Sequence, residues 1–409
     1  MSDFIPEDKF PHSLLNKPIE ERFKYFQEYS VAHPIIESSF NKLRQTILFP
    51  SGKQLVFVIG PPGTGKTFLR RWIEDEVKFY WEPQQHTDPG RIPVAWIEVP
   101  AKDRLKPPVG DIYLRLLRSL EEPLIDKKII YGDVTFYQTD DNQIRIGNHT
   151  TTFKLRYALE KCCEHRRPFF LAFDEAQHLM NLAGMSIEEL MDWLKSLANL
   201  SKVLICLYGT YGMYELLDLS DQLMRRSRII HLRRYANIGE DLINFKDTIL
   251  SFQYNLPFEK QFDLLSQSDY LYERTAGCIG NLYDWLLSAV NIALLESDSL
   301  KYRHLRETVP FTVLQASKMN KSILEDEDSF FEKIGKDDEI EDENNKNEFD
   351  EKDNQLIKDW VQNQSSSSSD NSDNNTEPLK NGTRKRKRNS VGMRNPGRDP
   401  TGPNRNKNA

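Results

Sequence analysis

The stretch Gly60-Pro61-Pro62-Gly63-Thr64-Gly65-Lys66-Thr67 constrains this chain more than any other. It follows a run of apolar, β-favouring residues, Leu55 to Ile59, and precedes a helix-like run, Phe68 to Lys78. Strand, glycine loop and helix in that order are the context in which a loop can hold phosphate. The glycines let the backbone fold tightly, so that several N–H groups point at one anion. The helix behind them adds the positive end of its dipole. In such a loop Lys66 reaches the β- and γ-phosphates and the Thr67 hydroxyl ligates Mg²⁺. The expected ligand is ATP with Mg²⁺, held by Gly60 to Thr67 and by Phe68. The plain alternative is a Gly/Pro turn between a strand and a helix.

Later apolar runs extend the pattern to a parallel α/β sheet. Ile92 to Val99 (IPVAWIEV) reads as a strand, and so does Pro168 to Asp174 (PFFLAFD), which ends at Asp174-Glu175. Near-continuous apolar strands are expected where both faces of a sheet are covered. Downstream of a phosphate loop, the Asp-Glu pair supplies the second half of a hydrolytic site. Asp174 would hold the Mg²⁺ shell, and Glu175 would orient and polarise the attacking water. Val203 to Leu207 is a further strand, ending at Tyr208-Gly209-Thr210. Thr210 is either placed to see the γ-phosphate or is a turn residue. Asp221 to Arg228 is a basic cluster before the strand-like Ile229 to Leu232. A solvated basic face is the ordinary explanation of such a run. The sharper one is an arginine finger entering the nucleotide site of a neighbouring subunit, Arg226 first and Arg225 second.

The remaining segments are read by periodicity and composition. Ile19 to Tyr29 has an amphipathic pattern, either a packing helix or an arm that docks on another subunit. Ile35 to Leu48 reads as a helix, and the His33 to Ile36 segment could flank a base. Residues 129–147 alternate around Asp140-Asp141-Asn142 and predict a β-hairpin insertion. Asn148 to Thr152 can cap a helix from about Phe153 to Cys163, and Ser186 with Glu189 can cap another. From Asn237 the pattern is helical only, with a glycine-rich helix start at Ala276 to Asn281. Beyond about Glu325 the chain turns acidic, then serine-rich, then basic at Arg384 to Arg388. Its low hydrophobicity predicts disorder. The four cysteines show no CxxC pair and read as reduced core thiols. No apolar run approaches membrane-spanning length, and the N-terminus lacks a signal-peptide pattern, so no membrane partner and a cytoplasmic location are expected.

With these pieces in order, the sequence resembles the AAA+ ATPases of bacterial transposons, the TniB/TnsC group, over roughly residues 30–320. The resemblance rests on GPPGTGKT at 60–67, FDEAQHL at 173–179, LYGT at 207–210, SDQLMRRSR at 220–228 and AGCIGNL at 276–282. It implies a P-loop AAA+ αβα sandwich and a small all-α lid, whereas the hairpin insertion near 129–147 and the long disordered tail depart from it. The expected division is an N-terminal arm over 1–30, a core over 31–235, a lid over 236–325 and a charged tail over 326–409. The resemblance further implies a bacterial regulator of transposition that forms rings or helical filaments on double-stranded DNA. Its implied partners are a DDE transposase and a TniQ-type targeting protein. Asn281 stands where this build often places a basic sensor residue. For DNA phosphates the candidates are Lys102, Arg104 and Lys106, with Thr150, Thr151 and Thr152 at a helix start. Two other readings are a helicase-type motor and a signalling ATPase that does not bind DNA.

Overall fold

Strand β1 (Leu55–Ile59) is buried along its whole length, as an apolar run between two helical layers must be. The computed structural model describes residues 9–334 apart from 50, 85, 87, 102–107, 124–135, 139–143, 147–148, 183, 219–224 and 297–298. Among these, β1 is followed by β2 (Val94–Glu98), β3 (Phe136–Gln138), β4 (Ile144–Ile146), β5 (Phe170–Asp174), β6 (Leu204–Gly209) and β7 (Ser227–His231). Five strands form one sheet in the order β2-β5-β6-β1-β7, and every pairing in it is parallel. The register sets Leu55 beside Ser227 and Ile59 beside His231 and Gly209. All five strands therefore point their carboxyl ends to one edge, where the glycine loop begins.

Alternate side chains divide the sheet into two apolar faces. Val56, Val58, Phe170, Ala172, Cys206 and Tyr208 face helices α2 (Pro34–Leu48) and α3 (Lys66–Trp81). Leu55, Phe57, Leu171, Phe173, Ile205 and Leu207 face α4 (Val109–Ser119) and the helices His149–Arg166 and Ile187–Ser201. The expected αβα sandwich is what forms. The hairpin predicted over 129–147 is the antiparallel pair β3–β4. Ser186 and Glu189 make the reciprocal cap at the start of Ile187–Ser201. All four cysteines are free and buried.

After β7 the described elements are helices, chiefly Gly239–Tyr254, Ser268–Thr275, Ile279–Glu296 and Val313–Ile334. Their apolar residues Phe245, Phe252, Leu282 and Trp285 join the same cluster as one face of the sheet. The N-terminal helix α1 (Ile19–Glu28) packs on this helical part of its own chain. Phe26 is buried, the Tyr25 hydroxyl donates to Asn255 Oδ1 at 2.7 Å, and the Tyr283 hydroxyl donates to the Gln27 carbonyl at 2.6 Å. Of the two readings of this stretch, a packing helix is the one observed.

The boundary expected at 325 falls inside a helix. Val313–Ile334 runs through it because Phe330 packs among Tyr211, Tyr214 and His231, and Glu327 pairs with Arg234 at 3.1 Å. The acidic composition of this stretch hid a helix with one anchored face. Beyond Ile334 the predicted disordered tail lies outside the described residues. No single helix among the described residues is long and apolar enough to cross a membrane.

Candidate nucleotide site

The loop at the carboxyl edge of the sheet is shaped by glycines whose backbone or surroundings disfavour a side chain. Gly63 and Gly65 have φ of +80° and +95°, in the left-handed region that side chains disfavour. A methyl group on Gly60 would lie 2.1 Å from the Leu232 carbonyl oxygen, and one on Gly63 would lie 2.1 Å from Asn281 Oδ1. Gly65 opens α3, so the loop ends on a helix N-terminus. Lys66 is buried and its ammonium group donates to the carbonyls of Gly60 at 2.9 Å and Pro61 at 2.8 Å. Burial pushes its pKa down from 10.5 to about 8, against the raising influence of Glu175, Cys278 and Asp174. Such a concave set of turned backbone and one desolvated cation suits an anion of several charges. Thr64 is tied to the Pro61 carbonyl at 3.0 Å, and Thr67 and Phe68 are half-buried in the first turn of α3.

The strand ends beside the loop bring the predicted carboxylates to it. Asp174 is buried at the end of β5; its Oδ1 accepts the Glu175 backbone N–H at 3.1 Å and its Oδ2 accepts Arg70 Nε at 3.0 Å. Glu175 follows in the left-handed conformation, φ 52°, a strained setting that ordinary glutamates avoid. Its Oε2 accepts from Gln177 Nε2 at 2.5 Å, and Gln177 Oε1 accepts the backbone N–H of Thr210 at 3.3 Å. Gln177 thus ties the end of β5 to the end of β6. One buried carboxylate, one nearby hydroxyl and the oxygens of a bound triphosphate are a donor set that suits Mg²⁺, which prefers oxygen and keeps part of its water.

Asn281 and Gly280 press the helix Ile279–Glu296 onto the loop. The Asn281 N–H donates to the Gly63 carbonyl at 3.3 Å, and a methyl group on Gly280 would lie 2.6 Å from that same oxygen. From the other side Ile36 approaches Gly65, and the His33 ring nitrogen Nδ1 lies 2.9 Å from the Tyr235 hydroxyl.

Arg225 and Arg226 are exposed and stand immediately before β7, at the opposite end of the sheet from the loop of their own chain. Five residues of strand span about 16 Å, too far for either side chain to serve that loop. Lys53 Nζ donates to the Arg225 carbonyl at 2.9 Å, and the Gln54 N–H donates to the Arg226 carbonyl at 2.8 Å. Lys102, Arg104 and Lys106 lie outside the described residues. Thr150, Thr151 and Thr152 do not precede a helix, as their capping role requires; they lie within its first turn, because the helix begins at His149. The residues that sequence reasoning missed are Gln177 and Arg70. Arg70 had a signal, its place one helical turn after Lys66.

Residues 48–217 match the family model described as AAA domain. No curated protein matches the sequence. Similar solved structures include the ORC2 protein of Aeropyrum pernix in its ADPNP-ADP complexes, 14% identical over 70% of this chain and 70% of that one, with a TM-score of 0.47. A Walker-type ATPase of Pyrococcus abyssi is 14% identical over 76% of this chain and 80% of that one, with a TM-score of 0.41. Domain III of the Thermotoga maritima replication initiation protein DnaA is 14% identical over 70% of this chain and 98% of that one, with a TM-score of 0.41. The parallel sheet, its covering helices and the loop at its carboxyl edge form the AAA+ P-loop fold, which includes the residues that match the AAA-domain model.

Proposed function

We propose that this protein is an ATPase whose subunits assemble on duplex DNA under nucleotide control and regulate transposition. The observation that carries the ATPase part is the meeting of Lys66, Asp174 and Glu175 at one edge of the parallel sheet. Lys66 binds the β- and γ-phosphates, Thr67 and Asp174 hold Mg²⁺, and Glu175 orients the attacking water. Thr210, at the neighbouring strand end, senses the γ-phosphate through the link that Gln177 makes to Glu175. Arg226, with Arg225 beside it, stabilises transition-state charge in the site of the next subunit. Their exposure at the far end of the sheet supports that assignment.

The transposition part rests on the likeness of FDEAQHL, LYGT, SDQLMRRSR and AGCIGNL to the TniB/TnsC group. A DDE transposase and a TniQ-type protein are the partners it implies, in a bacterial cytoplasm. A helicase-type motor needs a second strand-bearing domain, and after β7 the described residues hold only helices. The test is to image the full chain with duplex DNA and a slowly hydrolysed ATP analogue. Nucleotide-dependent rings or filaments on DNA, lost in ADP, are expected. ATP hydrolysis without any retention on DNA would remove the DNA part and leave an ATPase.

A further inference from the structure

Helix α3 carries three charged residues on one buried stripe. Lys66, Arg70 and Glu74 are spaced one turn apart, and each is less than a tenth exposed. Charged side chains are rarely buried without partners, and the partners here are unusual. Arg70 pairs with Glu74 on its own helix and donates through Nε to Asp174 Oδ2 at 3.0 Å. Its guanidinium lies over the Trp96 ring, 3.9 Å from the ring centre. Tyr208, wholly buried on the next strand, has a hydroxyl with no hydrogen-bond partner among the described residues. The carboxylate assigned to the metal is thus already paired with a fixed cation before any metal or nucleotide arrives.

We propose that Arg70 is a positioning residue for the metal site: it fixes the Asp174 carboxylate and cancels its charge, so that Mg²⁺ enters with the triphosphate and not alone. This inference rests on the nucleotide reading of the site. Two bonds orient Asp174, one to Arg70 and one to the Glu175 N–H, and neither depends on a ligand. A dication approaching Asp174 in the free protein also meets the guanidinium bonded to it. A fixed positive charge bonded to the carboxylate, in a site shielded from water, opposes the approach of a dication and lowers its affinity. A triphosphate reverses the balance by adding its own negative charge. A plain structural counterion would give stability without setting this order of binding.

The experiment titrates Mn²⁺, read by its electron paramagnetic resonance, into the nucleotide-free full-length protein. Arg70→Gln combined with Glu74→Gln removes one buried charge of each sign and leaves Asp174 unbalanced. It should bind Mn²⁺ at least about tenfold more tightly than the wild type. Trp96→Ala, at a site 42% exposed, loosens Arg70 without burying a new charge and should tighten binding about threefold. Glu74→Gln alone keeps the Arg70–Asp174 pair and should not tighten binding. Equal Mn²⁺ affinity in the wild type, the folded double variant and Trp96→Ala would overturn the proposal. Equal tightening in Glu74→Gln would also overturn it, because loosened packing would then be the cause. Binding of a slowly hydrolysed ATP analogue with Mg²⁺ is measured in parallel. Its failure in the wild type would sink the nucleotide reading, whereas the Mn²⁺ titration judges Arg70 independently of it.

Discussion

At the carboxyl edge of the sheet, Lys66, Arg70, Glu74 and Asp174 are buried, and each is hydrogen-bonded or ion-paired within the chain. At the amino edge, Arg225 and Arg226 are exposed, and it is their backbone carbonyls that fasten them to Lys53 and Gln54. One edge has a site prepared in advance, with desolvated groups held in place. The other presents exposed cations held chiefly through main chain, with one long side-chain bond from Arg226 Nη1 to Gln54 Oε1 at 3.5 Å. In the proposed assembly each edge completes the other, and neither is sufficient for hydrolysis. Preorganisation is concentrated where charge must be gripped, and freedom is left where a neighbour must dock.

The sharpest way to break this contrast is Arg226→Ala. Turnover of the assembled protein should fall about 1,000-fold while nucleotide binding by single chains is unchanged. Mixing that variant with Glu175→Gln should restore part of the activity, since some interfaces then pair an intact Glu175 with an intact Arg226. No recovery on mixing, in a steady-state phosphate-release assay, would end the two-edge picture. Glu175→Gln alone should lower turnover by at least about 100-fold with nucleotide affinity kept. Lys66→Ala should weaken binding of a fluorescent ATP analogue by about 100-fold and abolish assembly with it. Gln177→Ala should reduce turnover by about tenfold with little change in affinity, since it frees Glu175 without touching the phosphates.

A separate prediction concerns folding and not turnover. His33 is buried against Tyr235, and burial pushes its pKa down from 6.5 to about 4. The unfolded chain binds a proton that the fold excludes. This contribution is therefore complete above pH 6.5 and is lost as the pH falls towards 4. Its size is about 3 kcal/mol. His33→Asn should flatten that part of the stability profile measured by chemical denaturation. An unchanged profile would show that the ring is not the titrating group.

What the sequence disclosed and what it hid follow a physical division. The core strands, the phosphate loop and the Asp-Glu strand end were legible, because buried strands demand apolar runs and the loop demands glycine at set positions. The place of Arg70 one turn after Lys66 was legible, but its pairing with Asp174 was not. A charge on a helix reads as solvent-facing unless its partners, here on β5 and under Trp96, are known. Gln177 sat in a quoted motif, but its bridge from Glu175 to Thr210 joins two strands far apart in the chain. The helix Val313–Ile334 was cut short by composition. Its run of acidic residues from Glu325 to Asp328 masks the anchors on either side, Ile323 and Phe330, and Glu327 within it. For the arginines, exposure and position came only from the register of β7 against β1.

The close seating of Gly280 and Asn281 on Gly63 has a consequence for timing. There is no spare carbon's width between the helical part and the phosphate loop, so the two behave as meshed teeth. Ala276 and Gly277, both at positive φ, form the bend on which that helix would have to pivot. In the proposed cycle, departure of spent nucleotide and lifting of the helical part would be a single event, and the stiffness of this one joint would set how long each subunit remembers its last hydrolysis.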